Sequence, residues 1–133
     1  MTIVAPLGFV AGGVACGIKS SGALDLSLVA TADGAPVAAA GVFTQNLVAA
    51  APVTVSRRHL AATGGRAAAV VLSSGNANAG TGTKGEADAE RMCALAAEAI
   101  GAATDEVLVC STGLIGYELP MDALAAGIPA VAA

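Results

Sequence analysis

Residues 86–100 form one amphipathic unit, and the rest of the chain has to be arranged around it. Ala89, Met92, Cys93, Ala96, Ala99 and Ile100 recur at helical spacing and make a single apolar stripe. Acidic residues open the segment, where they suit the positive end of a helix dipole. Gly101 stands where a C-terminal cap is expected. The stripe must be buried against something, and its neighbours in sequence supply it. Residues 67–72 are a fully apolar run that reads as a central strand, and residues 107–110 are a shorter one.

The first half reads as further strands. Residues 8–18 mix Gly with small apolar residues, as in a strand approached closely by other backbone. Over residues 24–30, Leu24, Leu26, Leu28 and Ala30 share one face, with Asp25 and Ser27 on the other. Asp33-Gly34 marks a turn, and residues 37–43 are a second apolar run that would complete a hairpin. Residues 52–56 read as another short strand, and Thr63-Gly64-Gly65 as a turn. A last helix is expected from about Pro120.

Composition narrows the functional classes. The chain has 133 residues, enough for one domain, and is 56% hydrophobic but only 2% aromatic. Such a core packs backbone near backbone and gains little area per side chain. A net charge of −4 argues against a nucleic-acid partner, which needs clustered cations. The one basic cluster, Arg57, Arg58 and His59, reads as a solvated strand end or loop. Cys16, Cys93 and Cys110 have no metal or redox spacing and read as buried free thiols of a reducing cytosol. The chain is apolar from Ile3, but no Lys or Arg precedes Lys19 and several Gly interrupt the run. This excludes a signal peptide and a membrane span, and implies a cytoplasmic, soluble protein.

Short motifs decide little. Gly80-Thr81-Gly82-Thr83-Lys84-Gly85 fits GxGxxG, but polar residues separate it from the strand ending near Leu72, and Asp105 precedes its strand instead of ending it. Gly75 and Gly80 have P-loop spacing, yet Thr81-Gly82 stands where Lys-Ser/Thr is required. Glu86, Asp88 and Glu90 read as an exposed acidic first turn, with no His nearby to make a metal site. His59 has no nucleophile elbow to serve. Two loops remain, residues 73–82 and residues 110–116, both following apolar strands and both able to aim main-chain donors at an anionic oxygen.

At these loops the chain resembles the ornithine acetyltransferase family. Residues 73–82 match the family's Asn-Ser-Gly-Asn-Ala-Asn-Ala-Cys-Thr-Gly, with Ser73 for Asn and Gly80 for Cys. Ser111 to Gly116 and Leu119-Pro120-Met121 match its Ser-Thr-Gly-Val-Ile-Gly and Leu-Pro-Met. Gly17-Ile18-Lys19, residues 40–46 and Ala51-Pro52-Val53 also fit. The resemblance implies a layered α/β fold of mixed sheets flanked by helices, like self-processing aminopeptidases. It implies an acyltransferase of arginine biosynthesis that moves acetyl from N-acetylornithine to glutamate. The precursor cuts itself before a Thr, which becomes the nucleophile at the N-terminus of a β chain, in an α2β2 assembly. Thr112 and Gly113 are the implied oxyanion hole. No cofactor or metal is implied, and acetyl-CoA serves some members as donor. The family's α chain continues beyond the matched segment, so residues 1–133 read as its N-terminal domain, cut before the junction and inactive alone. The alternatives are a non-catalytic scaffold or amino-acid-binding partner of the same fold, and a peptide-cleaving relative.

Overall fold

A computed structural model describes residues 6–133; the apolar start at Ile3 lies outside the described residues. The frame is a four-stranded mixed sheet. Its strands are β1 (Phe9–Val14), β2 (Leu26–Thr31), β5 (Ala69–Asn76) and β6 (Val107–Leu114), side by side in the order β1-β2-β5-β6. β1 and β2 pair antiparallel, as do β2 and β5, while β5 and β6 run parallel. Parallel neighbours need a crossover, and helix α2 (Gly82–Ile100) provides it. Helix α1 (Ala51–Ala62) packs beside β6 and α2, and α3 (Met121–Ala132) packs on α2, β1 and β2. β3 (Val37–Ala38) and β4 (Arg66–Ala67) form a small separate ladder.

Burial alternates along the strands and gives the sheet two unlike faces. Leu26, Leu28, Val71, Val107 and Val109 point into a core with Met92, Cys93, Ala96, Leu124 and Ile128 of the helices. On the other face Val29, Val70, Leu72 and Leu108 are half-buried, and Cys110 and Thr112 are exposed. The scarcity of large side chains shows in the packing of α3. A Cβ on Gly127 would stand 2.5 Å from Cys16 Cβ and 2.9 Å from Leu26 Cδ2.

Several expectations are corrected. Residues 52–56 are helix, not strand: Pro52 sits in the first turn of α1, where its missing N–H costs nothing, and Val55, Ser56, His59 and Leu60 make its buried stripe. The Arg57-Arg58-His59 cluster is therefore helical, and His59 is 4% exposed, not solvated. Residues 37–43 make no hairpin with β2; only Val37–Ala38 is strand, and it pairs with β4. β2 begins at Leu26, so the expected alternation fails before it: Leu24 is 65% exposed and Asp25 only 3%. α2 starts at Gly82 with no acid in its first turn. Glu86, Asp88 and Glu90 instead reach Arg58, Lys84, and the Arg58–His59 pair respectively. Cys110 is exposed, whereas Cys93 is buried and Cys16 half-buried.

The free edge of β6 is closed by side chains. Ser56 Oγ donates to the Val109 carbonyl at 2.9 Å and accepts the Val109 N–H at 3.0 Å. One turn on, His59 Nδ1 donates to the Val107 carbonyl at 2.7 Å, and Nε2 meets both Glu90 oxygens at 3.1 Å. Burial pushes the Glu90 carboxyl up, but Arg58 and His59 outweigh it and hold the carboxyl below its ordinary value. α1 thus does for β6 what a fifth strand would do.

Candidate functional site

The ends of β5 and β6 converge at the two polar segments singled out in the sequence. Neither is a simple turn. β5 runs on through Ser73, Ser74 and Gly75 to Asn76, and β6 through Ser111, Thr112 and Gly113 to Leu114. Ser73 lies opposite Ser111, Ser74 opposite Thr112 and Gly75 opposite Gly113, after which a bulge at Asn76 breaks the register. On the core face Ser73 Oγ donates to Ser111 Oγ at 2.9 Å. Thr112 belongs to the opposite face and is exposed.

The bulge is held by glycine. Gly113 has φ +134 and Gly75 has φ +117, conformations that L side chains rarely adopt. A Cβ on Gly113 would stand 2.5 Å from Gly75 O and 2.6 Å from Asn76 N. The two strands therefore meet main chain to main chain, and Thr112 and Gly113 lie exposed near the end of β6. Beside it is a cavity of about 280 Å³, lined by Leu24, Ser27, Leu72, Ser74, Cys110 and Thr112 among others. A larger recess of about 570 Å³ lies at the opposite end of β2, between Thr31, Asp33, Ile100 and Val131. It gathers few polar side chains, so chemistry favours the smaller one despite its size.

The segment after Gly75 has an architectural role. Asn76 Nδ2 donates to the carbonyls of Tyr117 and Glu118 at 3.1 and 2.8 Å, and its Oδ1 accepts the Asn78 N–H at 2.8 Å. Asn78 is fully buried, donates to Gly85 O at 2.8 Å, and accepts from the Thr81 hydroxyl at 2.8 Å. With the main-chain bonds Ala77 N–H to Leu114 O and Gly116 N–H to Ala79 O, these tie both segments into one unit. The Asn side chains are consumed in building it. Gly80 has φ +70, which suits its place in the bend before α2, and a Cβ there would stand in ordinary contact with Ile115 Cγ2 at 3.8 Å.

The ArgJ family matches residues 10–133. The chain belongs to that family. It is 54% identical over 135 aligned residues to the "Arginine biosynthesis bifunctional protein ArgJ" of Mycobacterium tuberculosis, covering 95% of this chain and 32% of that protein. The protein of the same description from Streptomyces coelicolor is 50% identical over 132 residues, covering 99% of this chain and 34% of that one. The chain thus spans about a third of the length of these ArgJ relatives. Among solved structures, Mycobacterium tuberculosis ornithine acetyltransferase complexed with ornithine superimposes with a TM-score of 0.90 at 52% identity. That match covers 96% of this chain and 67% of that one. Bacillus halodurans ArgJ gives a TM-score of 0.86 at 39% identity, covering 92% of this chain and 62% of that one. The layered α/β architecture is therefore the ArgJ architecture.

No helix among the described residues is long and apolar enough to cross a membrane. Among them, no group of three His, Cys, Asp or Glu side chains is placed to hold a metal ion. Sequence reasoning missed Asp25, placed only on the strand face opposite Leu24, Leu26, Leu28 and Ala30. Its position six residues after Lys19 in a Gly-rich stretch was the available signal, since a carboxylate there can gather loose main-chain donors.

Proposed function

We propose that this chain is the oxyanion-stabilising part of an acetyltransferase that moves acetyl from N-acetylornithine to glutamate in arginine biosynthesis. What carries the reading is one hydroxyl and one glycine peptide, Thr112 and Gly113, standing exposed at a broken strand end beside a cavity. Membership of the ArgJ family and the likeness to an ornithine acetyltransferase support the substrate class.

In this reading the nucleophile is the hydroxyl of a Thr at the N-terminus of a β chain, freed when a longer precursor cuts itself. Its α-amino group takes the hydroxyl proton as the oxygen attacks the acetyl carbonyl. The carbonyl oxygen becomes an oxyanion, to which the Thr112 hydroxyl and the Gly113 N–H donate. Collapse breaks the C–N bond, ornithine leaves with the transferred proton, and an acetyl ester remains on the Thr. The glutamate amine then attacks that ester through a second oxyanion held by the same pair. N-acetylglutamate leaves and the Thr is restored. The scheme needs no cofactor and runs as ping-pong kinetics, in a cytoplasmic α2β2 assembly. This chain supplies no nucleophile, so it is inactive without the β chain.

The test is Thr112→Val in the enzyme assembled with the region that the longer relatives carry. Loss of one such donor lowers kcat by about 10²–10³-fold, with KM little changed. Unchanged turnover removes Thr112 from the mechanism. Assay with small peptides in place of N-acetylornithine separates acetyl transfer from peptide cleavage.

A further inference from the structure

One buried carboxylate organises the main chain behind the site. Asp25 stands just before β2, with its side chain turned inward. Its Oδ1 accepts the Cys16 N–H at 2.7 Å and its Oδ2 accepts the Lys19 N–H at 2.8 Å. Its own carbonyl accepts the Ser74 N–H at 2.8 Å, and Ser74 is the residue opposite Thr112. Residues 16–19 lie past the end of β1 and have no strand to pair with, so these charge-assisted bonds set where they sit.

What that turn touches is the glycine crossing. A Cβ on Gly75 would stand 2.9 Å from Ile18 Cγ2 and 3.2 Å from Lys19 Cγ, so the two stems lie directly on the Gly75 main chain. Gly75 in turn abuts Gly113. Asp25, the 16–19 turn, Gly75 and Gly113 form an unbroken series of contacts, and a second route runs from the Asp25 carbonyl through Ser74 to the strand pair carrying Thr112.

We infer that Asp25 is a positioning residue for acetyl transfer: its carboxylate seats Ile18 and Lys19 against Gly75 and so fixes Thr112 and Gly113 relative to the reacting carbonyl. The inference rests on the oxyanion reading of Thr112 and Gly113. Asp25 also lines the cavity beside Thr112, but its two carboxylate oxygens are taken by main-chain N–H groups and it acts on no reacting atom in this scheme. Its effect is confined to how well the two donors are aimed in the transition state, so it acts on kcat and leaves KM alone.

The experiment is a double-mutant cycle in the assembled acetyltransferase, run at a temperature where circular dichroism shows every variant folded. Asp25→Asn keeps the shape but offers an amide N–H to one of the two main-chain donors. It is expected to lower kcat by about 10- to 100-fold, the usual effect of a donor displaced by up to about 1 Å, with KM within about twofold. Asp25→Asn added to Thr112→Val is expected to cost less than it does alone, because one of the two donors being aimed is already gone. If Asp25→Asn is too unstable, Ile18→Ala replaces it, since it removes the contact on Gly75 and spares the Asp25 bonds; the same kcat loss and non-additivity are expected. Unchanged kcat, a loss carried by KM, or losses that simply multiply overturn the positioning role. If Thr112→Val itself leaves turnover intact, the oxyanion reading fails instead.

Discussion

Ser56→Ala probes the closure of β6 directly. The Ser56 hydroxyl is the partner of both main-chain groups of Val109, which is 1% exposed. Alanine leaves the buried N–H and the buried carbonyl of Val109 facing a methyl group. Each buried unsatisfied group costs about 1–3 kcal/mol, the carbonyl at the lower end, so the pair is expected to cost about 3 kcal/mol. With a urea dependence of about 1.5–2 kcal/mol per molar, the unfolding midpoint falls by about 1.5–2 M while the slope stays the same. The assay is urea unfolding followed by far-ultraviolet circular dichroism, with Thr54→Ala on the same helix as control. That control is expected to be neutral or stabilising by a few tenths of a kcal/mol through helix propensity. A Ser56→Ala midpoint within about 0.3 M of the parent would refute the view that α1 substitutes for a strand.

Gly113→Ala forces the Gly75–Gly113 crossing apart: a contact of 2.5 Å must open towards 3.4 Å, about 1 Å, at a φ that also strains alanine. A fall in kcat of about 100-fold or more is expected, measured by the acetyl-transfer assay, and Gly75→Ala should be milder because side chains rather than backbone face it. Burial pushes the Asp25 carboxyl up, but the Lys19 and Cys16 N–H groups outweigh it and hold it at about 2. Its contribution to stability is therefore complete at neutral pH and drains away as pH falls from about 4 towards 2. The gap in urea midpoint between the parent and Asp25→Asn is expected to be widest at neutral pH and to narrow across that acid range. A thiol reagent is expected to label Cys110 in the folded protein, Cys16 slowly because burial and Asp25 raise its thiol to about 11, and Cys93 only on unfolding.

The parts of the fold that could be read from the sequence are those where hydrophobic periodicity and burial coincide. α2 declared itself by its stripe, and Gly101 ends it in the left-handed region at φ 75 as its position implied. The apolar runs of β5 and β6 are the two parallel central neighbours. α1 was hidden because Val53, Thr54 and Val55 favour strands, while its buried stripe includes Ser56 and His59, polar residues that bury only because β6 offers its edge. The same blindness applied to Asp25, whose burial depends on donors from residues 16–19. At the site, the residue identities were legible but not their setting. Gly-rich sequence after Cys110 looked like a turn, whereas β6 continues through it, and the bulge arises from a pairing between segments 38 residues apart.

The Ser56 and His59 contacts also settle how this sheet can grow. With the Val107 carbonyl and both Val109 main-chain groups already occupied, the first half of β6 offers no edge to an incoming peptide, and only its far end beyond Cys110 keeps main-chain groups to spare.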